Sequence, residues 1–248
     1  MIVVCSGEGV SDLGTCVNQC GACSGDDFRL GPLSIVLDGV IQECLEYSPR
    51  EVHPATYRYY GEAELVVRAQ ERKNQRRGFS FAGRKRGVET GYFYINAWTL
   101  GEIAKELEAQ EGDVSVAVLF RDSDGTNTAP RDLWSKKVTS MVEGFRRAEF
   151  SRGIPMVPRP KSESWFLCLA KDNPYQHCEA LEELPGNDKS PNSAKQALAD
   201  CLGENATAEK LLEWIELNGI DQHALAQQMS SFAEFYNRAK EVFLALKH

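Results

Sequence analysis

The chain has 248 residues, of which 42% are hydrophobic and 26% are charged. This length is enough for one large domain or two small ones, with a sizeable buried core. The sequence contains 36 acidic and 28 basic residues, for a net charge of -8. That balance excludes a globally basic surface for nucleic acid, so any such site must be local.

The amino-terminal stretch "MIVVCSGEG" has no basic segment and only a short apolar run. It predicts neither a signal peptide nor a membrane anchor. No other stretch approaches the roughly 18 apolar residues that a membrane helix requires. We therefore expect a cytoplasmic protein without a membrane partner, whose eight cysteines are mainly reduced thiols.

The first half of the chain predicts a strand followed by a long stretch without a clear pattern. The run "MIVVCS" indicates a buried strand, because short apolar runs bounded by glycine are typical of a sheet covered on both faces. Residues 10 to 60 are not assigned. A helix is predicted at about 61 to 77, and it leads into a basic segment broken by glycines. We treat about 61–95 as a basic insertion.

The segment "TLGEIAKELEAQEGD" predicts a well-marked helix followed by a second buried strand. Thr99 and Glu102 fit a capping box at the start of the helix, and Gly112 fits its end. The run "VSVAVLF" is rich in β-branched residues, which favour a strand. Asp122 and Asp124 follow directly at the carboxyl end of this strand.

The second half predicts alternating helices and one short strand, and then helices alone. "RDLWSKKVTSMVEGFRRAEF" indicates a helix, "IPMVP" a strand, and "SESWFLCLA" a helix capped by Ser162, with Trp165 in the core. After the linker "LPGNDKSPNS", three segments carry a helical apolar rhythm.

This order predicts an α/β, Rossmann-like fold. We expect a mainly parallel sheet with helices on both faces, in which strands 2 to 6 and 115 to 121 lie side by side. Residues 1–185 would form the main domain, and residues 186–248 a C-terminal helical appendage.

Three cysteines in "CVNQCGAC" have the spacing C-x3-C-x2-C, at Cys16, Cys20 and Cys23. Radical-SAM enzymes use this spacing to hold a 4Fe-4S cluster, but the long strand-helix series of those enzymes is missing here. The same thiolates can bind Zn²⁺, with Cys44 or His53 as a fourth ligand. A loop with free thiols is the third interpretation. We expect no iron-sulfur cluster.

Acidic residues follow both predicted strands. Glu8 follows the first strand, with Asp12 shortly after it, and Asp122 and Asp124 follow the second. Ligands bind at the carboxyl ends of strands in open α/β sheets. Crowded carboxylates repel each other unless a cation neutralises them, and oxygen ligands select Mg²⁺ or Mn²⁺. Asp-Ser-Asp-Gly is also good turn chemistry, so a simple turn is the alternative for one stretch alone.

These residues resemble a known family. Glu-Gly after a first strand and Asp-x-Asp after a later one are similar to the signature of the TOPRIM domain of topoisomerases, primases and overcoming-lysogenisation-defect (OLD) family nucleases. The version "EGVSD" resembles the OLD-like nucleases more closely, because Asp12 takes the place of their extra acid. "VPRPKSESWFLCLA" and "LPGNDKSPNSAKQAL" resemble segments of small TOPRIM-like proteins from bacterial defence loci.

The resemblance implies a metal-dependent phosphodiesterase. Glu8 would be the general base or a metal ligand, and Asp122 and Asp124 would bind the main Mg²⁺. Asp12 and Glu163 would be candidates for a second ion.

One further residue extends this assignment, and one of the residues already named has an alternative role. Lys161 could neutralise charge on the reacting phosphate. An acid at the amino end of a helix also stabilises that helix, which is the structural interpretation of Glu163.

The segment "RAQERKNQRRGFSFAGRKRG" is the one strongly basic stretch of the sequence. Its basic side chains can bind phosphates, and Phe79 or Phe81 can stack on an unpaired base. A solvated surface or a docking face for an acidic partner explains the same composition. The candidate nucleic-acid-binding residues are Arg72, Lys73, Arg76, Arg77, Arg84, Lys85 and Arg86, with Arg68 at the start of the segment.

Two classes of function remain open from the sequence. One is a Mg²⁺-dependent nuclease, acting in anti-phage defence with a separately encoded ATPase, since this chain has no G-x-x-x-x-G-K-[ST] loop. The other is a TOPRIM-like subunit that holds a metal or nucleic acid, or docks on a partner, without cutting. Assembly into a homo-oligomer is left open.

Overall fold

The computed structural model describes residues 1–9, 11–18, 20–75, 90–124, 132–203 and 205–247, with the backbone alone at 73–75. The strands of these residues form a five-stranded sheet in the order β3-β5-β1-β6-β7 and a separate pair, β2 and β4. The strands are β1 (Ile2–Gly7), β2 (Gly14–Cys16), β3 (Ala22–Ser24), β4 (Phe28–Leu30), β5 (Tyr57–Tyr60), β6 (Ser115–Phe120) and β7 (Gly153–Met156).

The two predicted strands lie side by side, as expected. β1 pairs with β6 in parallel, from Ile2 opposite Ser115 to Gly7 opposite Phe120. β5 and β7 are also parallel to their neighbours, and only β3, at the edge, is antiparallel. The prediction of a mainly parallel α/β sheet is therefore confirmed.

Helices surround the sheet, and none in the described part of the chain is long and apolar enough to cross a membrane. The α-helices of the described residues are α1 (Pro32–Leu45), α2 (Pro49–Val52), α3 (Glu62–Gln75), α4 (Gly91–Glu111), α5 (Leu133–Arg147), α6 (Ser162–Ala170), α7 (Ala194–Leu202), α8 (Ala208–Asn218), α9 (Gln222–Gln228) and α10 (Ser230–Leu244).

The core has two layers, one on each face of the sheet. Alternate residues of a strand point to opposite faces. In β1, Val3 and Cys5 pack on one face against α1, α6 and α10, whereas Ile2 and Val4 pack on the other against α3, α4 and α5. Both faces are covered, which explains why β1 and β6 are buried along their whole length.

The C-terminal region is helical, as predicted, but its last helix belongs to the core. Phe232 and Phe235 of α10 contact the Trp165 ring with centroids 5.0 and 5.9 Å away. The Trp165 indole N–H donates to the Ser231 hydroxyl at 2.8 Å. α10 therefore packs in the core on one side of the sheet.

Two predicted helix starts are wrong. α4 begins at Gly91, so Thr99 lies inside it and donates its hydroxyl to the Ile95 carbonyl at 2.9 Å instead of capping. Gly112 ends the helix as predicted, with a φ of 67°. Ser162 is the first residue of α6 rather than its cap, a position that Lys161 takes.

The prediction of reduced thiols is wrong for four cysteines, which form the disulfides Cys16–Cys23 and Cys168–Cys178. Cys16–Cys23 joins β2 to β3, and Cys20 remains a free, exposed thiol between them. A disulfide leaves no thiolate on Cys16 or Cys23 for zinc or iron. The zinc and cluster interpretations therefore require the reduced form.

Candidate active site

The predicted carboxylates meet in one cleft at the carboxyl ends of β1 and β6. The cleft has a volume of ≈ 940 Å³, and its lining includes Glu8, Asp12, Asp122 and Glu163. Glu8 and Asp122 arrive there because they follow neighbouring parallel strands. The cleft thus lies where open α/β sheets bind their ligands.

Glu8 is held by backbone pairing and by an ion pair. Its backbone N–H donates to the Phe120 carbonyl at 3.3 Å, which extends the pairing of β1 with β6. Its Oε2 lies 2.8 Å from Nη2 of Arg121, which also pairs with Glu62. Burial raises the pKa of Glu8, and the positive charge of Arg121 opposes that shift.

Asp122 lies between the sheet and the start of α6. Its Oδ1 accepts a hydrogen bond from the backbone N–H of Ser162 at 3.0 Å, so it satisfies one of the free amides at this helix end. The pKa of Asp122 is raised well above its usual range by burial first, and then by neighbouring carboxylates. Those neighbours are Glu163, Asp12, Glu8 and Asp124.

Asp12 and Glu163 also line the cleft, close enough for their charges to interact. The Asp12 carbonyl accepts from the Leu33 N–H at 2.9 Å, at the start of α1. Burial and the Glu163 charge raise the pKa of Asp12 to about 6, against the opposing charges of Lys161 and Lys195. Glu163 lies in the first turn of α6, and its Oε2 is buried without a hydrogen-bond partner among the described residues.

Asp124 lies at the rim of the cleft rather than in its lining. The chain turns at Asp124, where φ is 42°, so the extended geometry that would point it alongside Asp122 ends there. Its side chain is 55% exposed, and its Oδ1 is 3.5 Å from the Lys161 Nζ. Lys161 also pairs with Asp188 at 2.9 Å. Burial opposes the charge of Lys161, but these acids outweigh it and raise its pKa.

The sequence interpretation missed four charged residues of this region: Arg121, Glu62, Asp188 and Lys195. Arg121 was visible, since it stands between the strand and Asp122 in "FRDSD". Asp188 and Lys195 belong to the linker and to α7, and only the tertiary fold brings them to the cleft.

The two described arginine side chains of the basic segment, Arg68 and Arg72, form ion pairs with acidic residues of the same chain. Arg72 pairs with Glu102 at 2.5 Å and lies over the Trp98 ring at 4.7 Å, with its side chain 12% exposed. Arg68 pairs with Glu64 and Glu106. The other candidates lie outside the described residues, Lys73 by its side chain and Arg76, Arg77, Arg84, Lys85 and Arg86 entirely.

A smaller cavity of ≈ 410 Å³ lies beside Gly153, at the amino end of β7. Its lining includes Arg146 and Arg238. Arg238 donates to the carbonyls of Ser151 and Gly153, and Arg146 pairs with Glu143. Arg238 thus joins α10 to the start of β7, and Arg146 pairs within α5, so both arginines are already engaged and this cavity offers less chemistry than the carboxylate cleft.

The donor atoms of the cleft suit a hard divalent cation, although the carboxylates are spread along its wall. Carboxylate oxygens are the ligands of Mg²⁺ and Mn²⁺, and the buried Glu163 Oε2 accepts no hydrogen bond from the described residues. Among the described residues, no three His, Cys, Asp or Glu side chains already stand together as a metal-binding group. A cation would therefore have to draw the carboxylates together.

Comparison of the chain with models of protein families, with curated proteins and with solved structures finds no match.

Proposed function

We propose that this protein is a divalent-metal-dependent nuclease that hydrolyses phosphodiester bonds of DNA or RNA in the carboxylate cleft. The observation that carries the proposal is the cleft itself. Glu8 and Asp122 end neighbouring parallel strands, and Asp12 and Glu163 complete an acidic wall beside them. This convergence favours a cation site over independent turns, because four carboxylates in one cleft repel each other until a cation binds.

Mg²⁺ or Mn²⁺ would bind to oxygens of Asp122, with Asp124 at the rim, and a second ion to Asp12 and Glu163. The proposal follows the TOPRIM-like pattern of acids, and the unpartnered oxygen of Glu163 supports it. When bound, a divalent cation supplies a positive charge for the phosphate and makes a nearby water more acidic.

The protein's own side chains would then perform two tasks. Glu8 would accept the proton of the attacking water, because it lies in the cleft beside Asp122, burial raises its pKa and Arg121 fixes its orientation. Lys161 would contact the phosphate, since Asp188 and Asp124 hold its ammonium group at the edge of the cleft. The separately encoded ATPase and a role in anti-phage defence remain proposals from the resemblance.

One observation favours the second candidate, a subunit that binds metal or nucleic acid without cutting. Glu8 is already paired with Arg121, whose Nη2 lies 2.8 Å from its Oε2. Such a site can serve as a binding surface without a free base.

A cleavage assay separates the two candidates. Purified protein is incubated with single-stranded DNA, duplex DNA and RNA in Mg²⁺, Mn²⁺ or EDTA. The nuclease proposal expects cleavage that EDTA abolishes and that a Glu8→Ala variant lacks, whereas an Asp26→Ala variant, which changes an exposed acid outside the cleft, cuts normally. Binding without cleavage under every condition supports the second candidate.

A further inference from the structure

Lys137 of α5 is a buried cation whose ammonium group contacts the turn that carries Asp122 and Asp124. Lys137 is 6% exposed, whereas the side chain of the neighbouring Lys136 is 50% exposed and pairs with Asp132. Lysines are almost never fully buried unless the ammonium group is paired, because a charged group loses favourable hydration when it leaves water. The ammonium group of Lys137 is therefore expected to hold a specific partner.

That partner is the peptide group between the two aspartates. The Lys137 ammonium group donates a hydrogen bond to the backbone carbonyl of Ser123. The next backbone N–H, that of Asp124, donates to the Pro160 carbonyl at 3.1 Å. This carbonyl and this N–H belong to one planar peptide group, so the two contacts fix its orientation. The Ser123 N–H also donates to the Pro160 carbonyl, at 3.0 Å, so the preceding peptide is held as well.

The orientation of this peptide decides where the two carboxylates lie. Asp124 has a φ of 42°, a left-handed conformation that costs free energy for residues other than glycine and persists where the surrounding structure fixes it. Asp122 lines the cleft, whereas Asp124 lies at its rim beside Lys161. A rotation of the peptide between them would change their relative position. Mg²⁺ requires oxygen ligands at about 2.1 Å in octahedral geometry, so that position determines whether both carboxylates can bind one ion.

The buried ring of Phe93 contacts two cations, each of which holds one of the strand ends that carry the acids. The Lys137 ammonium nitrogen lies 5.1 Å from the centroid of the Phe93 ring. The central carbon of the Arg121 guanidinium group lies 5.3 Å from the same centroid, and Arg121 pairs with Glu8. The face of an aromatic ring attracts cations at these distances. Phe93 of α4 therefore supports both Lys137, below the end of β6, and the partner of Glu8.

We infer that Lys137 is a positioning residue of the cation site: by holding the Ser123 carbonyl, it sets the Asp122 and Asp124 carboxylates at the spacing that a divalent cation requires. The inference deepens the proposed function and rests on its cation site, but it does not depend on cleavage. Lys137 would act through Ser123 rather than by contact with the cation. Loss of a group that orients metal ligands from outside weakens metal binding by about 10–100-fold.

Binding of Mn²⁺, followed by the electron paramagnetic resonance signal of the free ion, tests the inference without a substrate. Lys137→Met removes the hydrogen-bond donor and keeps most of the length of the side chain. Lys137→Gln keeps a polar but uncharged group on a shorter side chain. We expect each variant to bind Mn²⁺ about tenfold more weakly than the parent, while circular dichroism shows a folded protein. Asp122→Asn should lose the same ion, which identifies the site.

Lys136→Met is the matched control, because it removes the adjacent, exposed lysine of the same helix. Its affinity for Mn²⁺ should stay within about twofold of the parent. Cleavage of nucleic acid is measured in parallel over a range of Mn²⁺ concentrations. The Lys137 variants should need about tenfold more Mn²⁺ than the parent for half-maximal cleavage.

The outcomes separate the inference from the proposed function. Parent-like Mn²⁺ binding by either folded Lys137 variant overturns the inference, and so does an equal loss of affinity in Lys136→Met. Failure of both Lys137 variants to fold also overturns it, because Lys137 would then serve the stability of the core. A parent that binds no Mn²⁺ overturns both claims. Mn²⁺ binding that depends on Lys137, without cleavage of any substrate, supports the inference and removes the nuclease proposal.

Discussion

Replacing Asp12 by asparagine should stabilise the protein in the absence of divalent cations. The pKa of Asp12 is raised from 3.8 to about 6, chiefly by burial and by Glu163. Each unit corresponds to about 1.4 kcal/mol, so ionising Asp12 in the folded state lowers the free energy of unfolding by up to about 3 kcal/mol. Because Asp12 is partly exposed, we expect Asp12→Asn to raise that free energy by about 1–3 kcal/mol above pH 7.

The size of the stabilisation by Asp12→Asn depends on pH. A carboxyl group whose pKa is raised by folding carries no penalty below its unfolded value of 3.8. The penalty grows between that value and about 6 and is complete above it. The gain from Asp12→Asn should therefore be full at about pH 8 and nearly absent at about pH 3.5.

Urea unfolding, followed by tryptophan fluorescence at both pH values, measures this gain. Trp98 and Trp165 are buried and report on both faces of the sheet. Asp26→Asn is the control, since Asp26 is exposed outside the cleft and should change the free energy of unfolding by less than about 0.5 kcal/mol. If Asp12→Asn does not raise the free energy of unfolding at high pH, or raises it equally at both pH values, the claim that ionised Asp12 destabilises the folded protein is wrong.

Two predictions concern regions outside the carboxylates. Replacing Arg76 and Arg77 together by alanine should weaken nucleic-acid binding and flatten its salt dependence while sparing the rate at saturating substrate; an unchanged salt dependence would leave these residues as ordinary surface charges. Protein purified without oxygen should be colourless, because we expect no cluster at Cys16, Cys20 and Cys23, and about four irons per chain would contradict this.

The sheet could be predicted from the sequence because its central strands are continuous apolar runs. β1 and β6 are buried on both faces, and such runs indicate parallel strands covered by helices. The juxtaposition of Glu8 and Asp122 then follows from topology alone, since both residues follow strands that end at the same edge.

The stretch between residues 10 and 60 could not be predicted because its elements lack a clear period. α1 is buried around most of its circumference, including the acid Asp38, so it shows no polar face. Asp38 is satisfied by Ser48 at 2.5 Å and by Tyr57 at 2.6 Å, contacts that local sequence does not reveal. β5 has only four residues, too short for a pattern.

The residues that the linker and α7 contribute to the cleft could not be predicted either. Asp188 and Lys195 lie in segments that read as a linker and as an ordinary helix. Their position depends on how α7 packs against α6, which no local pattern specifies. The rim position of Asp124 was missed for a different reason, because the positive φ ends the extended geometry on which the expectation depended.

The hydrogen bond to Asp122 changes which variant tests the site best. Asp122→Ala relieves charge repulsion but also removes the acceptor for the Ser162 amide, and losing such a cap costs about 0.5–2 kcal/mol. Asp122→Asn removes the charge and keeps an oxygen for that amide. The asparagine variant therefore separates loss of chemistry from loss of folding.

The most direct test is Mg²⁺-dependent cleavage of nucleic acid by the parent and by Glu8→Ala, Asp122→Ala and Asp122→Asn. We expect the parent and the Asp26→Ala control to cut, and the three cleft variants to lose cleavage while they remain folded by circular dichroism. Cleavage by the folded cleft variants at the parent's rate in the same Mg²⁺ concentration would contradict the account and leave these carboxylates as turn and cap residues.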